Sequence, residues 1–347
     1  MMITRIAAAF ATLVILFATA TRSFSQTASL AAAQALFQQR QWGPAADAFD
    51  KVEKAQPGAT DALLYRGKCL VNLDRWSEAA ASLEDYIGGH EQSDDAVYLL
   101  AYVRFREDKP ADSLRLYTQA AKLKSPTADD LKIVALDYVL LNDYGDAGHY
   151  LEVALKMDPG NTEALYHLGR VRYQQNRFDD AIAAFQEVLK REPFNAKAED
   201  NLGLSLEAKN EVGPAIVVYQ KAIDMDKAAS THSEQPYLNL GSLLSKSNRA
   251  PEAVPLLQSA EHIAPKSAKV RYELGKTYFN LGRTEDARGE AEEAVRLKPE
   301  DASAHYLLGR IYHRLGKSDL EAKEFALTEG LIRAKGGTGM ASGADNR

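Results

Sequence analysis

His90-Glu91 begins like a zinc-protease signature, in which two histidines one helical turn apart hold the metal and the glutamate activates a water. The residue that would complete HExxH is Asp94, so the match fails. His149, His167, His232, His262, His305 and His313 are scattered, and His305 and His313, on one predicted helix, stand about two turns apart, too far for one ion on a rigid helix. Cys69 is the single cysteine, which excludes a cysteine-pair zinc site and an intramolecular disulfide and leaves the expectation of a small buried residue. GxxxxGK[ST], GxGxxG and GxSxG are all missing. Asp129-Asp130 and Asp179-Asp180 fall at predicted helix starts, where the helix dipole favours negative charge. The expectation is therefore a chain without catalytic residues, metal or cofactor.

What remains is a set of aromatic residues with cations one turn away: Tyr98, Tyr102 and Phe105; Tyr166, Arg170 and Tyr173; Tyr272, Lys276 and Phe279; Tyr306, Arg310 and His313; with Lys68 and Lys132 beside them. Such side chains combine large buried area with fixed polar ends, the composition of interface hot spots. Any one of these tyrosines could equally pack between neighbouring structural elements, but packing has no need of the cations. The set is expected to contact a partner segment that is extended or helical and carries acidic groups.

Those residues share a face only if the chain repeats. Steps of 34 from Ala33 reach Gly67, Ala101, Ala135, Gly169 and Gly203, and after a four-residue insertion Gly241, Gly275 and Gly309. Twelve residues after each lies Ala45, Ala79, Ser113, Ala147, Ala181, Ala215, Ala253 and Ala287, and only the ninth copy slips, to Glu321-Ala322. Four further on come Phe49, Leu83, Tyr117, Leu151, Phe185, Tyr219, Leu257, Ala291 and Phe325. Apolar residues at helical spacing, such as Ile182, Phe185, Val188 and Leu189, predict two helices per copy. The turn between them falls at Asn176-Arg177-Phe178, Asn210-Glu211-Val212, Leu281-Gly282-Arg283 and Leu315-Gly316-Lys317. Small residues are expected where the two helices cross, with the large residue four positions on filling the gap to the neighbouring copy. The aromatic and cationic set then lies three before, one after and four after the small residue, on the first helix.

With Leu168-Gly169, Leu202-Gly203, Leu240-Gly241, Leu274-Gly275 and Leu308-Gly309, and with helix-ending Pro57, Pro159, Pro193, Pro265 and Pro299, these columns resemble the tetratricopeptide repeat. Arg104 and Arg172 stand where the family usually has an aromatic residue. The resemblance implies an all-α fold, a right-handed α-solenoid of about nine 34-residue helix-turn-helix units whose first helices line a concave groove. Copies would start near 26, 60, 94, 128, 162, 196, 234, 268 and 302, within a solenoid spanning 26–332. Some family members grip a C-terminal carboxylate with a Lys, Asn, Asn, Lys, Arg set; Asn239 and Lys269 suit it, but Asp200, Leu204 and Glu273 do not, so that clamp is not expected.

The insertion from Lys227 to Pro236 reads as an exposed loop, and the Gly-rich tail, 333–347, as disordered. Forty-two basic against 48 acidic residues leave a net charge of −6, which excludes a general attraction to nucleic acid. At the N-terminus Arg5 precedes a charge-free run from Ile6 to Thr21, as in a secretory signal peptide covering 1–25, so the chain is expected to be periplasmic or secreted. Left uncleaved, the segment would anchor it in a membrane. The functional expectation is a non-enzymatic scaffold in cell-envelope assembly, secretion or surface-polymer export. Its competitors are a regulatory or structural subunit of an envelope enzyme, such as a glycosyltransferase or polymer synthase, and an enzyme whose site the sequence does not display.

Overall fold

The structure, a computed structural model, describes residues 29–58, 61–229 and 232–341, so the expected signal segment lies outside it. Among the described residues the chain forms eighteen α-helices and no strand. In chain order they are α1 (29–38), α2 (Trp42–Ala55), α3 (Ala62–Asn72), α4 (Trp76–Gly89), α5 (Asp94–Arg106) and α6 (Pro110–Ala120). Then come α7 (Ala128–Leu140), α8 (Tyr144–Met157), α9 (Thr162–Gln174), α10 (Phe178–Arg191), α11 (Ala196–Ala208) and α12 (Val212–Ala229). The last six are α13 (Gln235–Lys246), α14 (Ala250–Ile263), α15 (Ala268–Asn280), α16 (Thr284–Leu297), α17 (Ala302–Arg314) and α18 (Ser318–Ala341). Two compact units result, one ending at Val171 and the other beginning at Arg172. The first is built around Phe49, Leu70, Leu83, Val97 and Val103, continued by Ala135, Ala147 and Leu151. The second is built around Tyr219, Ile223, Leu238, Leu257, Leu274 and Ile311. Each is an all-α solenoid of stacked helix pairs, whose stability is a sum over neighbours.

The turn inside every copy has one residue in the left-handed region: Arg40, Asp74, Asp108, Asn142, Asn176, Asn210, Asn248, Gly282 and Gly316, with φ between 56° and 76°. That conformation reverses the chain and ends the first helix, and asparagine or glycine adopts it at least cost. Of the first helices, α5, α7, α11 and α15 begin with side-chain caps in which Ser93, Thr127, Asn195 and Ser267 accept the N–H of Ala96, Asp130, Ala198 and Val270.

The small column stands where the two helices of a copy cross, as the sequence predicts. A Cβ built on Gly67 would lie 2.8 Å from Leu83, on Gly203 2.6 Å from the Tyr219 ring, on Gly241 2.6 Å from Leu257, and on Gly309 2.8 Å from Phe325. In these copies the large residue packs on the glycine of its own copy, because the crossing helices leave space for one bulky side chain only where the other has none, and in the first copy it also reaches the next, where Phe49 stacks on Tyr65 at 5.3 Å. Ser113 replaces alanine in the third copy without loss, since its hydroxyl donates to the Ala101 carbonyl at 3.0 Å. Neighbouring copies are also joined by a column of hydrogen bonds. Tyr278 accepts from Gln258 at 3.0 Å, Tyr312 donates to Glu292 at 2.9 Å, and Arg104 bonds to Glu84. Each reaches back 20 residues from a first helix to the second helix of the preceding copy. An ion pair at Arg104 thus does the work of an aromatic hydroxyl.

One substitution made at two glycines separates these effects. Gly203→Ala forces a methyl into the Tyr219 ring and is expected to destabilise by about 1–3 kcal/mol. Gly289→Ala, in α16 with nothing within 4 Å, is expected to stabilise by about 1 kcal/mol through helix propensity. Urea midpoints of opposite sign check both; a shared sign would contradict the packing described.

Two segments depart from expectation. The stretch from Lys227 is not an exposed loop as far as Ala229, because α12 runs through it, with Met225 and Asp226 buried. Asp226 then accepts the backbone N–H of Ser233 at 3.0 Å, which pulls the chain into α13 at Gln235. At the other end α18 continues to Ala341, past the start of the tail read as disordered, since neither proline nor a left-handed residue stops it; 342–347 lie outside the described residues.

Candidate functional site

In the first unit, α5, α6 and α7 enclose an open hollow of about 320 Å³. It is lined by Asp95, Tyr98, Leu99 and Tyr102 of α5, Tyr117 of α6, and Asp129, Asp130, Lys132 and Ile133 of α7. Three residues singled out from the sequence, Tyr98, Tyr102 and Lys132, are thus brought together. The Tyr98 hydroxyl donates to the Lys124 carbonyl at 2.6 Å, fixing its ring, which lies 5.9 Å from that of Tyr117. Tyr102 accepts from Arg106 at 2.9 Å and lies 6.4 Å from Phe105 and 6.2 Å from Trp76.

Two cations of this unit, Lys132 and Lys68, are already held by carboxylates. Lys132 is 9% exposed, and its ammonium bonds to Asp129 at 3.0 Å and Glu163 at 2.7 Å. Burial works against its charge, yet the Glu163 and Asp129 carboxylates outweigh it and hold the group above the usual lysine range. The bond from Lys132 in turn holds the Asp129 carboxyl below its ordinary value. Lys68 is bound to Asp95 at 2.5 Å and lies 5.4 Å over the Tyr65 ring. In α9, Tyr166 stacks edge-on against His167 at 5.5 Å and Arg170 is exposed. Burial, then the Arg170 charge, pulls His167 down to about 4, so that imidazole is neutral at physiological pH.

In the second unit Tyr173 packs against Phe178 at 5.6 Å. Lys276 lies 5.7 Å over Tyr272 and 3.3 Å from Glu273. Phe279 is 4% exposed, covered by Arg310 at 4.9 Å and Arg314 at 3.8 Å, so its ring supports these cations and does not itself offer a contact surface. Tyr306 is 52% exposed, 5.7 Å from Phe325. His313 meets Glu321 at 3.0 Å. Asn239 donates to both oxygens of the buried Asp200, at 2.9 and 3.0 Å, which consumes the residue best suited to a carboxylate clamp.

The sequence reading did not include Asp95, Leu99, Tyr117 or Ile133 in the site, and took Asp129-Asp130 only as helix-start charge. Asp130 does close a capping box with Thr127, but Asp129 accepts from Lys132 and Asn161 through one of its oxygens. Stepping by 34 from Asp95 would have found Asp129 and Glu163. His90, the start of the failed zinc motif, stacks on Tyr86 at 4.1 Å. Cys69 is buried, which pushes its thiol up to about 11 and makes it inert. Among the described residues no group of three or more His, Cys, Asp or Glu is placed to hold a metal ion, and no helix is long and apolar enough to cross a membrane.

Among solved structures the chain is similar to the Cut9–Hcn1 hetero-tetramer of the APC/C, with a TM-score of 0.58 at 15% identity over 82% of this chain and 55% of that one. It is also similar to YrrB, described as a TPR protein with an unusual peptide-binding site (TM-score 0.46, 20% identity, 52% of this chain and 94% of that one). A third likeness is to MamA (TM-score 0.43, 27% identity, 49% and 96%). None of the curated proteins matches. Models of the tetratricopeptide repeat match residues 30–97, 138–200 and 272–329, which together make more than half of the chain. With these matches taking in the helix pairs that pack Gly67 under Leu83 and Gly309 under Phe325, the chain belongs to the tetratricopeptide repeat family, a protein-interaction fold.

Proposed function

We propose that this protein is an exported, non-enzymatic scaffold that holds a segment of a partner protein against its first-helix face, in cell-envelope assembly, secretion or surface-polymer export. The observation that carries the binding role is the α5–α7 hollow, where Tyr98 and Tyr102 are held in fixed orientation beside three carboxylates. Fixed aromatic side chains lose little entropy on binding and bury large area, which is what a peptide-binding surface needs. Export is supported by Arg5 and the charge-free run from Ile6 to Thr21.

Capture of partners from envelope extract tests the reading. The native chain is expected to retain a specific protein, and Tyr102→Ala to lower its recovery by about tenfold or more, as truncation of a hot-spot aromatic does. Tyr98→Ala/Tyr102→Ala should abolish capture, with thermal melts confirming folded variants. Undiminished capture by a folded double variant would remove the site from the scaffold. A captured protein with transferase or polymer-synthase activity would make the chain a subunit of that enzyme.

A further inference from the structure

The charge of the hollow is opposite to what the sequence suggests. Its lining carries Asp95, Asp129 and Asp130 against the single cation Lys132, and that ammonium is already held by Asp129 and Glu163. Adding the neighbouring Lys68 and Glu163 leaves the excess of two negative charges unchanged. The acidic position recurs, since Asp61, Asp95, Asp129 and Glu163 follow one another at steps of 34 through the first unit. Helix-dipole preference does not account for the series, because Lys197, Gln235 and Lys269 stand at the same place in α11, α13 and α15. A second observation lies at the floor, where Tyr117 is 5% exposed and lines the hollow beside the same carboxylates, leaving its hydroxyl open to the hollow as a polar group a bound side chain can meet.

We propose that this hollow receives a lysine or arginine side chain of the bound segment, a refinement that rests on the scaffold reading above. The stem lies along the rings of Tyr98 and Tyr102 and against Ile133, and the charged head sits among the three carboxylates, with the Tyr117 hydroxyl as a further acceptor. Asp95 is shared with Lys68, Asp129 with Lys132 and Asn161, and Asp130 with Thr127. A carboxylate has about four acceptor positions, so each keeps room for one more donor. The volume, roughly ten waters' worth, suits one long side chain and not a folded element.

Fluorescence anisotropy of the full chain with two labelled, acetylated and amidated hexapeptides, alternating Ala-Arg and alternating Ala-Glu, tests this at low ionic strength. The Ala-Arg peptide is expected to bind and the Ala-Glu peptide not to. Asp95→Asn/Asp129→Asn should weaken Ala-Arg binding by about tenfold or more, as loss of a close charge pair does, and raised salt should weaken it further. Glu293→Gln, which removes a half-buried carboxylate paired with Arg296 in α16, should leave it unchanged. Failure of the Ala-Arg peptide to bind, equal binding by the Asp variant, or preference for Ala-Glu would each overturn the proposal. If a captured partner protein still requires Tyr102 but not Asp95 and Asp129, the inference about charge fails while the scaffold reading stands.

Discussion

Asp137→Val is expected to raise stability by about 2–4 kcal/mol at pH 8 and by clearly less at pH 4, where only the cost of burying a neutral carboxyl without a partner is removed. Asp137, in α7, is fully buried and neither carboxylate oxygen has a hydrogen-bond partner; the nearby Ser113 hydroxyl donates to Ala101 instead. Burial pushes its carboxyl up to about 7. The unfolded chain releases that proton near pH 4 and the folded chain holds it to about 7, so the folded state binds the extra proton in between. Stability therefore falls as pH rises from about 4 to 7 and stays low above. Valine fits, since the copies on either side place Val103 and Val171 at this position, both buried. Urea midpoints of native and variant chains across this range should diverge with pH. Parallel curves would show that Asp137 is ionised without cost.

Asn239→Ala is expected to cost about 2–4 kcal/mol at pH 8, because it strips both donors from a buried carboxylate. Asp200 is 4% exposed, and burial already raises it to about 6 despite Asn239 and the Lys269 charge. Without Asn239 its proton is held to higher pH still, so the loss should shrink towards pH 4, where the folded native and variant chains both carry the carboxyl protonated. Asp200→Leu/Asn239→Leu removes both polar partners and is expected to recover most of the stability, as Leu64 and Leu238 occupy the position of Asp200 in other copies. A single variant with the same small loss at both pH values would mean the carboxylate reaches water.

Which residues pack was legible because one physical demand recurs at a fixed step. Gly203 must be small since Tyr219 occupies its missing side chain, and Gly67 and Leu83 repeat that relation 136 residues earlier. Asn176 and Gly282 announced their turns because few residues tolerate left-handed backbone. The site was only half legible. Lys132 looked like a cation offered to a partner, and its neutralisation depends on Glu163, which belongs to the next copy. Phe279 looked exposed by its spacing, and is buried because Arg310 and Arg314, a whole copy later, fold over it. A periodic pattern tells which way a side chain leaves its helix. It does not tell which charge from the following helix arrives to meet it.

The bonds of Arg104 to Glu84, Tyr278 to Gln258 and Tyr312 to Glu292 have a practical corollary for anyone rebuilding this chain. The cassette that can be transplanted or duplicated is not the helix-turn-helix as the period counts it, because cutting there separates each of these matched pairs. It is the offset window from a second helix to the next first helix, α4 with α5 or α16 with α17, in which donor and acceptor travel together.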